Sequence, residues 1–201
     1  MASFIISTNV TTAQVLDGGQ TGFVTQNGSI SVPYGTAITT TGVNDLLING
    51  TVSSNIVAIE SSGPSLGLVV GPQGSILGSF DGLVVNVTNS SDIVNNGTII
   101  GAESTGVDFS REKQFAAHSL FNTGTIWGGL WGVEIVPHRL SSMIVNTGEI
   151  VGGTVGIRGT GTTDAVLEIR NTGVISGDGA SSWAISTTAA TPAATGSSTP
   201  A

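Results

Sequence analysis

The chain has 201 residues, with five basic and 13 acidic side chains and a formal net charge of −8. So few basic residues cannot neutralise a phosphate backbone, and the absence of cysteine leaves no disulfide framework and no thiolate metal site. No apolar run approaches the ~18 residues of a membrane-spanning helix. The composition therefore predicts no nucleic acid partner and no transmembrane segment. Apolar residues make up 39% of the chain, which is enough to form a hydrophobic core.

Residues 1–20 precede the first full copy of the repeat that organises the chain. The opening sequence MASFIIS has no basic region and only two consecutive isoleucines, so it does not match a secretory signal peptide. We expect an N-terminal strand or cap here. The chain is then cytoplasmic, exported without an N-terminal signal, or cut from a longer protein.

A short phrase recurs seven times, with Asn or Gln near a Gly, then a small or polar residue, then Ile or Val. The copies are QNGSI, INGTV, PQGSI, NNGTI, NTGTI, NTGEI and NTGVI. Their glycines lie 22 to 27 residues apart, at Gly28, Gly50, Gly74, Gly97, Gly124, Gly148 and Gly173. Such a period is the signature of a repeat architecture.

Alignment on these glycines gives two apolar columns. Two residues after the Gly stand Ile30, Val52, Ile76, Ile99, Ile126, Ile150 and Ile175. Four residues before it stand Val24, Leu46, Val70, Ile93, Leu120, Ile144 and Ile169. A unit of ~24 residues with short Val- and Ile-rich strands cannot bury its own apolar face, but stacked units can.

The pattern predicts an all-β fold, a right-handed parallel β-helix of about seven coils of ~24 residues over residues 21–186. A β-sandwich is the alternative, but it would not require the same residue types at a fixed period. The charge-dense residues 110–114 are predicted to form a loop inserted at a corner. Residues 187–201, rich in Thr, Ala and Pro, are predicted to be a disordered tail.

Asparagines stand two residues before the Gly in the later copies, at Asn95, Asn122, Asn146 and Asn171. In a stack, each side-chain amide can donate to the next and accept from the one before. The sequence therefore predicts a ladder of turn asparagines. The earlier copies have Gln26, Ile48 and Pro72 there, so the N-terminal coils are expected to be less regular.

The phrases NTGTIWGGLWGVEI, NTGEIVGGTVGI and NTGVISGDGASSWAI resemble the β-strand repeats of bacterial surface and secreted proteins. Those proteins include autotransporter passenger domains and the N-terminal regions of hemolysin-type (RTX) secreted proteins. The resemblance implies a parallel β-solenoid at the cell surface or outside the cell, exported without an N-terminal signal. Calcium binding cannot be carried over from the resemblance, because the G-G-x-G-x-D nonapeptide is not repeated here, and no site residue of these families maps onto this chain.

One outer column is predicted to be a partner surface. Alternation along the strand places Leu77, Ile100, Trp127 and Val151 outside, one residue after the inward Ile column. An exposed apolar stripe marks a contact with another molecule. Trp131 offers a flat face on which a sugar can stack, and Trp183 is the third tryptophan.

A second outer column carries charge. Glu60, Glu134 and Arg158 each lie ten residues after their Gly, with Asp108 close to the same position. Glu134 and Arg158 are one coil apart, which predicts an ion pair between coils. His118 and His138 have no neighbouring ligands in a metal-binding pattern, so the sequence predicts no metal, cofactor or catalytic residue.

The sequence thus favours a non-catalytic structural or adhesive β-solenoid of an exported bacterial surface protein. The strand edges at the ends of a solenoid are unpaired, so we expect end-to-end association into a rod or filament. The alternative is a glycan-binding or glycan-cleaving β-helix that uses Glu134 and the tryptophans.

Overall fold

The computed structural model describes residues 3–110, 116–136, 140–159, 166–178 and 184–185. Within these residues all regular structure is β-strand. The first twelve strands are β1 (Phe4–Ile6), β2 (Asn9–Val10), β3 (Gln14–Leu16), β4 (Gln20–Val24), β5 (Ser29–Val32), β6 (Ile38–Thr40), β7 (Val43–Ile48), β8 (Thr51–Ser54), β9 (Val57–Ser61), β10 (Ser65–Val70), β11 (Ser75–Gly78) and β12 (Asp81–Val85). The others are β13 (Ser90–Asn95), β14 (Thr98–Gly101), β15 (Thr105–Phe109), β16 (Ala117–Asn122), β17 (Thr125–Gly128), β18 (Trp131–Ile135), β19 (Ser142–Asn146), β20 (Glu149–Gly152), β21 (Val155–Gly159), β22 (Leu167–Asn171), β23 (Val174–Gly177) and β24 (Ala184–Ile185).

The strands form three parallel sheets, because each strand pairs with the strand three places further along the chain. The A sheet is β1-β4-β7-β10-β13-β16-β19-β22, the B sheet is β2-β5-β8-β11-β14-β17-β20-β23, and the C sheet is β3-β6-β9-β12-β15-β18-β21-β24. Three successive strands, one from each sheet, make one rung. This arrangement is a parallel β-solenoid, so the predicted fold class is confirmed and the β-sandwich alternative is wrong.

Six complete turns of about 24 residues run from β4 to β21, with a shorter rung at each end. The segment expected to be an N-terminal strand or cap contributes β1, β2 and β3, which pair in parallel with β4, β5 and β6. It is therefore a rung of the solenoid itself. The right-handed sense of the turns remains a prediction from the general preference of parallel crossovers.

The core is built of side chains stacked in register between the three sheets. In the B sheet the inward column is Val10, Ile30, Val52, Ile76, Ile99, Ile126, Ile150 and Ile175. The six members from Ile30 to Ile150 are fully buried. Burial of one such side chain contributes about 1.5–3 kcal/mol, so the column supplies much of the stability of each rung.

Glycines form the corner between the B and C sheets in the later rungs. Gly78, Gly101, Gly128, Gly152 and Gly177 are stacked in register. A Cβ atom on Gly128 would overlap the carbonyl oxygen of Trp131. The chain turns so tightly there that a side chain has no room, which explains why Gly recurs at this position.

Seven residues, each four before an anchoring Gly, were predicted to form one column, and this prediction is wrong for two of them. Val24 pairs with Ile48, and Val70 pairs with both Ile48 and Asn95. These two valines therefore belong to the asparagine column. The turns after them are two residues longer and are closed by hydrogen bonds from Gly28 N to Thr25 O and from Gly74 N to Gly71 O, both 2.8 Å.

The described part of the chain contains no helix long and apolar enough to cross a membrane. Two segments with predicted conformations cannot be compared with the fold. Residues 111–114 of the predicted corner loop and residues 187–201 of the predicted tail lie outside the described residues.

Candidate interaction surfaces

The predicted apolar stripe lies on the outer face of the B sheet. Leu77, Ile100, Trp127 and Val151 are in register on β11, β14, β17 and β20. All four side chains are partly exposed, whereas the isoleucine before each is buried. In the first rungs Ser31 and Ser53 occupy the same column, so the stripe is confined to the middle of the solenoid.

The corner between the B and C sheets widens this stripe. Ile56, Phe80 and Leu130 are exposed there, and Phe80 N donates a 2.9 Å hydrogen bond to Ile56 O. Sequence reasoning missed these three residues because it assigned the segment to a Gly-rich turn. The available signal was that Phe80 and Leu130 each stand two residues after a corner glycine.

The outer face of the C sheet carries the predicted charged column. Asp108, Glu134 and Arg158 are in register on β15, β18 and β21. Arg158 Nη1 lies 3.1 Å from Glu134 Oε1, so the expected ion pair is present. Glu60 does not join them, because Val84 stands between Glu60 and Asp108 in the same column.

Asp108 is buried on this outer face and is held by Ser110. The backbone nitrogen and Oγ of Ser110 donate hydrogen bonds of 2.7 and 2.6 Å to Asp108 Oδ1. Burial raises the pKa of Glu134, and the neighbouring Asp108 and Asp81 carboxylates raise it further, while Arg158 and a hydrogen bond from Ser110 oppose the shift. Glu134 therefore holds a proton more tightly than an ordinary glutamate.

Trp131 is partly buried, and Arg158 lies over one face of its ring. The Arg158 guanidinium carbon lies 4.2 Å from the centroid of its ring. This cation–π contact ties Trp131 to the ion pair. The tryptophan face that the sequence offers to a sugar is thus shared with an arginine of the next rung.

The predicted asparagines are hydrogen bonded to one another through their side chains. Asn95 Nδ2 donates to Asn122 Oδ1 at 2.7 Å, Asn122 Nδ2 to Asn146 Oδ1 at 2.7 Å, and Asn146 Nδ2 to Asn171 Oδ1 at 2.8 Å. The first three side chains are buried, and Asn171 at the end of the row is exposed. Each buried amide also donates to a backbone carbonyl in the next rung.

His118 is part of the core and does not face a binding site. Its Nδ1 lies 2.7 Å from Ser91 Oγ, and its ring centroid is 4.5 Å from that of Phe109. Among the described residues no group of three or more His, Asp or Glu side chains is arranged to hold a metal ion. His138 and Trp183 lie outside the described residues.

A longer apolar column, which sequence reasoning missed, runs along the outer face of the A sheet. It contains Ile5, Phe23, Leu47, Val69, Val94, Phe121 and Val145, and ends at Arg170. The signal was the consecutive apolar residues in each copy, such as Leu46-Leu47 and Leu120-Phe121. Strands that are covered on both faces have such continuous apolar runs.

The two ends of the solenoid expose part of the core. Six apolar residues pack against the core but are only partly buried, namely Phe4, Ile6, Val10, Leu167, Ile169 and Ile175. All six lie on the end strands β1, β2, β22 and β23. Within the residues that the structure describes, each of them has a neighbouring rung on one side only.

Comparison with known proteins gives no relative from which a function can be carried over. No family model matches the chain. No curated protein sequence and no solved structure matches it either. The function must therefore be argued from the surfaces described above.

Proposed function

We propose that the chain is a non-catalytic structural or adhesive β-solenoid of an exported bacterial surface protein, and that it associates end to end into a rod or filament. The observation that carries the proposal is the partly exposed core at both ends of the solenoid. Val10 and Ile175 occupy opposite ends of one inward column. A second copy stacked head to tail would place these two side chains against each other.

End-to-end contact would also pair the strand edges of the terminal rungs. Within the described residues, β1 and β2 pair on one side only, and so do β22 and β23. Unpaired backbone N–H and C=O groups at an edge favour the addition of further strands. A head-to-tail contact does not close on itself, so it gives an open polymer.

The adhesive role and the location outside the cell have separate support. The apolar stripe of Leu77, Ile100, Trp127 and Val151 is a surface of the kind that contacts other molecules. The repeat phrases resemble those of exported bacterial proteins. Immunodetection on intact cells of the source bacterium tests this location, and a signal found only after lysis would contradict it.

Two blocked variants test the end-to-end contact. Val10→Lys places a charge at one end and Ile175→Lys at the other, while Val151→Lys on the side of the solenoid is the control. Sedimentation velocity and negative-stain microscopy should show oligomers for the wild type and for the control. Each end variant alone should be monomeric.

A mixture of the two end variants sharpens the test, because each retains one intact end. The mixture should form dimers and nothing larger. A wild type that stays monomeric at every concentration contradicts end-to-end association. Circular dichroism of each variant verifies that the strands are intact.

The second candidate function is a glycan-binding or glycan-cleaving β-helix. The observation that favours it is that Glu134 and Asp108 are in register on adjacent rungs and that burial raises the pKa of Glu134, a shift in the direction that suits a general acid. A glycan array and a reducing-end assay test it. Loss of glycan binding in Trp131→Ala would support glycan recognition, and loss of turnover in Glu134→Gln would support glycan cleavage. If no polymer is bound or cleaved, the glycan hypothesis is contradicted and the structural role is favoured.

A further inference from the structure

The outer face of the A sheet has an apolar column that extends over seven rungs. Ile5 is 73% exposed, and Val69 and Phe121 are each 38% exposed. Phe23, Leu47, Val94 and Val145 are partly exposed between them. A contiguous apolar surface of this length is unusual on a protein that has no partner, and it marks a site of contact.

The apolar column of the A sheet is longer than the stripe of the B sheet, which extends over four rungs from Leu77 to Val151. The outer column that opens each B strand is hydroxylic over five successive rungs, at Ser29, Thr51, Ser75, Thr98 and Thr125. At the position of the apolar column the A strands are apolar on both faces of the sheet, whereas two residues earlier the outward position is acidic in three rungs. Parallel strands with that pattern are typical of sheets that are covered on both sides.

The charges next to the column are acidic. The outward position two residues earlier on the A strands holds Asp45, Asp92 and Glu168 in three of the rungs, and all three are exposed. The only basic side chain in either outer column of the described A strands is Arg170, whose Nε lies 2.7 Å from Glu168 Oε1. The face is therefore complementary to a partner that combines apolar and basic side chains, and it disfavours anionic surfaces.

The length of the column fits an α-helix that lies along the solenoid axis. Rungs are about 4.8 Å apart, so seven rungs span about 29 Å. A helix repeats its apolar face every turn of about 5.4 Å, and about 19 residues cover the same length. Residues 187–201 contain no Lys or Arg and no large apolar side chain, so this segment cannot supply the helix.

We propose that the outer face of the A sheet is the docking surface for a basic amphipathic α-helix of a partner protein, with the helix aligned along the column from Ile5 to Val145. The apolar face of the helix covers the column, and its flanking lysines or arginines face Asp45 and Asp92. The proposal does not rest on the end-to-end contact, because that contact is made by the end faces of the terminal rungs and the column lies along the side of the solenoid.

A designed peptide tests the proposal without knowledge of the natural partner. The probe is a labelled helix of about 20 residues with a leucine stripe flanked by lysines, and the matched control peptide has the same composition in scrambled order. Fluorescence anisotropy should give a dissociation constant for the probe that is about tenfold or more below that of the scrambled peptide. Equal affinity for the two peptides would overturn the proposal.

Protein variants locate the bound helix. Val69→Thr with Phe121→Thr should weaken binding about tenfold or more, because two apolar contacts are lost. Asp45→Asn with Asp92→Asn should weaken binding and reduce its dependence on salt. Thr98→Ala with Thr125→Ala, which alters the outer face of the B sheet outside its apolar stripe, should leave the affinity unchanged, and an effect there as strong as on the A sheet would contradict the assignment.

Two further measurements exclude other occupants of this face. Val69→Thr with Phe121→Thr should not change the self-association of the protein measured by sedimentation without peptide. Self-association that this double variant abolishes would identify a second copy of the chain as the occupant and overturn the proposal. Co-sedimentation with anionic lipid vesicles should be absent, and binding that requires Phe121 would identify a membrane surface instead and overturn the proposal.

Discussion

The side chains of Asn122 and Asn146 lie in adjacent rungs, and the Nδ2 of Asn122 donates a 2.7 Å hydrogen bond to the Oδ1 of Asn146. Both side chains are buried at the turn between the A and B sheets. Asn122 Nδ2 also donates to Gly124 O and Glu149 O, at 3.2 and 3.1 Å. The side-chain amide of Asn122 therefore makes hydrogen bonds in its own rung and in the next. The row of asparagines links the rungs from Asn95 to Asn171.

Replacement of Asn122 by Ala should destabilise the protein by about 2–3 kcal/mol, because buried polar groups in both neighbouring rungs lose their partners. Asn171→Ala is the matched control, since that side chain is exposed at the end of the row. Its cost should be well under half as large. Urea unfolding followed by circular dichroism measures both, and equal losses would indicate that the row contributes no cooperative stability.

Replacement of Gly128 by Ala should destabilise the protein by about 3 kcal/mol, because the new Cβ overlaps the backbone of Trp131 in a buried corner. Gly159→Ala is the control. Its Cβ would lie 3.3 Å from a terminal methyl group of Leu167, which can move aside. Thermal unfolding compares the two, and a Gly128→Ala protein as stable as the control would mean that the corner can widen.

The sequence determined the inward columns well because identical residue types recur at a fixed period. Ile126 and Ile150 are in register as their equal distance from the anchoring Gly predicted. Val24 and Val70 were assigned to the wrong column because their turns contain two extra residues, and an offset counted from the Gly cannot reveal where those residues are inserted.

The same limit applies to the surfaces. The pairing of Glu134 with Arg158 follows from equal offsets in adjacent copies. Glu60 has the same offset, but it lies two rungs before Asp108 and three rungs before Glu134, with Val84 in the rung between Glu60 and Asp108. The column of Phe121 on the A sheet does not follow from the repeat pattern, because an apolar residue beside an inward one has the same sequence signature as a residue of the core.

The raised pKa of Glu134 predicts a pH dependence of stability. The native protein binds this proton more tightly than the unfolded chain, whose glutamates titrate near 4.5. The contribution of Glu134 to the free energy of unfolding is therefore fully present below that pH and is lost as pH rises through the raised pKa.

Glu134→Gln removes this titration, so the stability of the wild type relative to this variant should fall as pH rises from about 4 towards neutrality. Glu168→Gln is the control, because it alters an exposed glutamate that is paired with Arg170. Its stability should show the same fall with rising pH that Glu134 causes in the wild type. Urea unfolding at a series of pH values measures the difference. A rise with pH would indicate that the ion pair with Arg158 outweighs burial.

The first rung is held to the second by a large side chain stacked over a glycine. Phe4 pairs with Gly22, and the next residue in that inward column is Leu46. A Cβ on Gly22 would overlap the ring of Phe4 and a methyl group of Leu46. The phenyl ring thus fills the space that the glycine leaves.

A double-mutant cycle tests this complementarity. Phe4→Ala should destabilise the protein by about 1–3 kcal/mol, less than in a closed core, because this end of the solenoid is open to solvent. Gly22→Ala should also destabilise it, because the new methyl group clashes with the ring. In the double variant the clash with Phe4 is absent, so the combined loss should be smaller than the sum of the two single losses by about 0.5 kcal/mol or more. Hydrogen exchange of the β1 and β4 amides locates the effect in the first two rungs, and simple additivity would mean that Leu46 alone limits the space at Gly22.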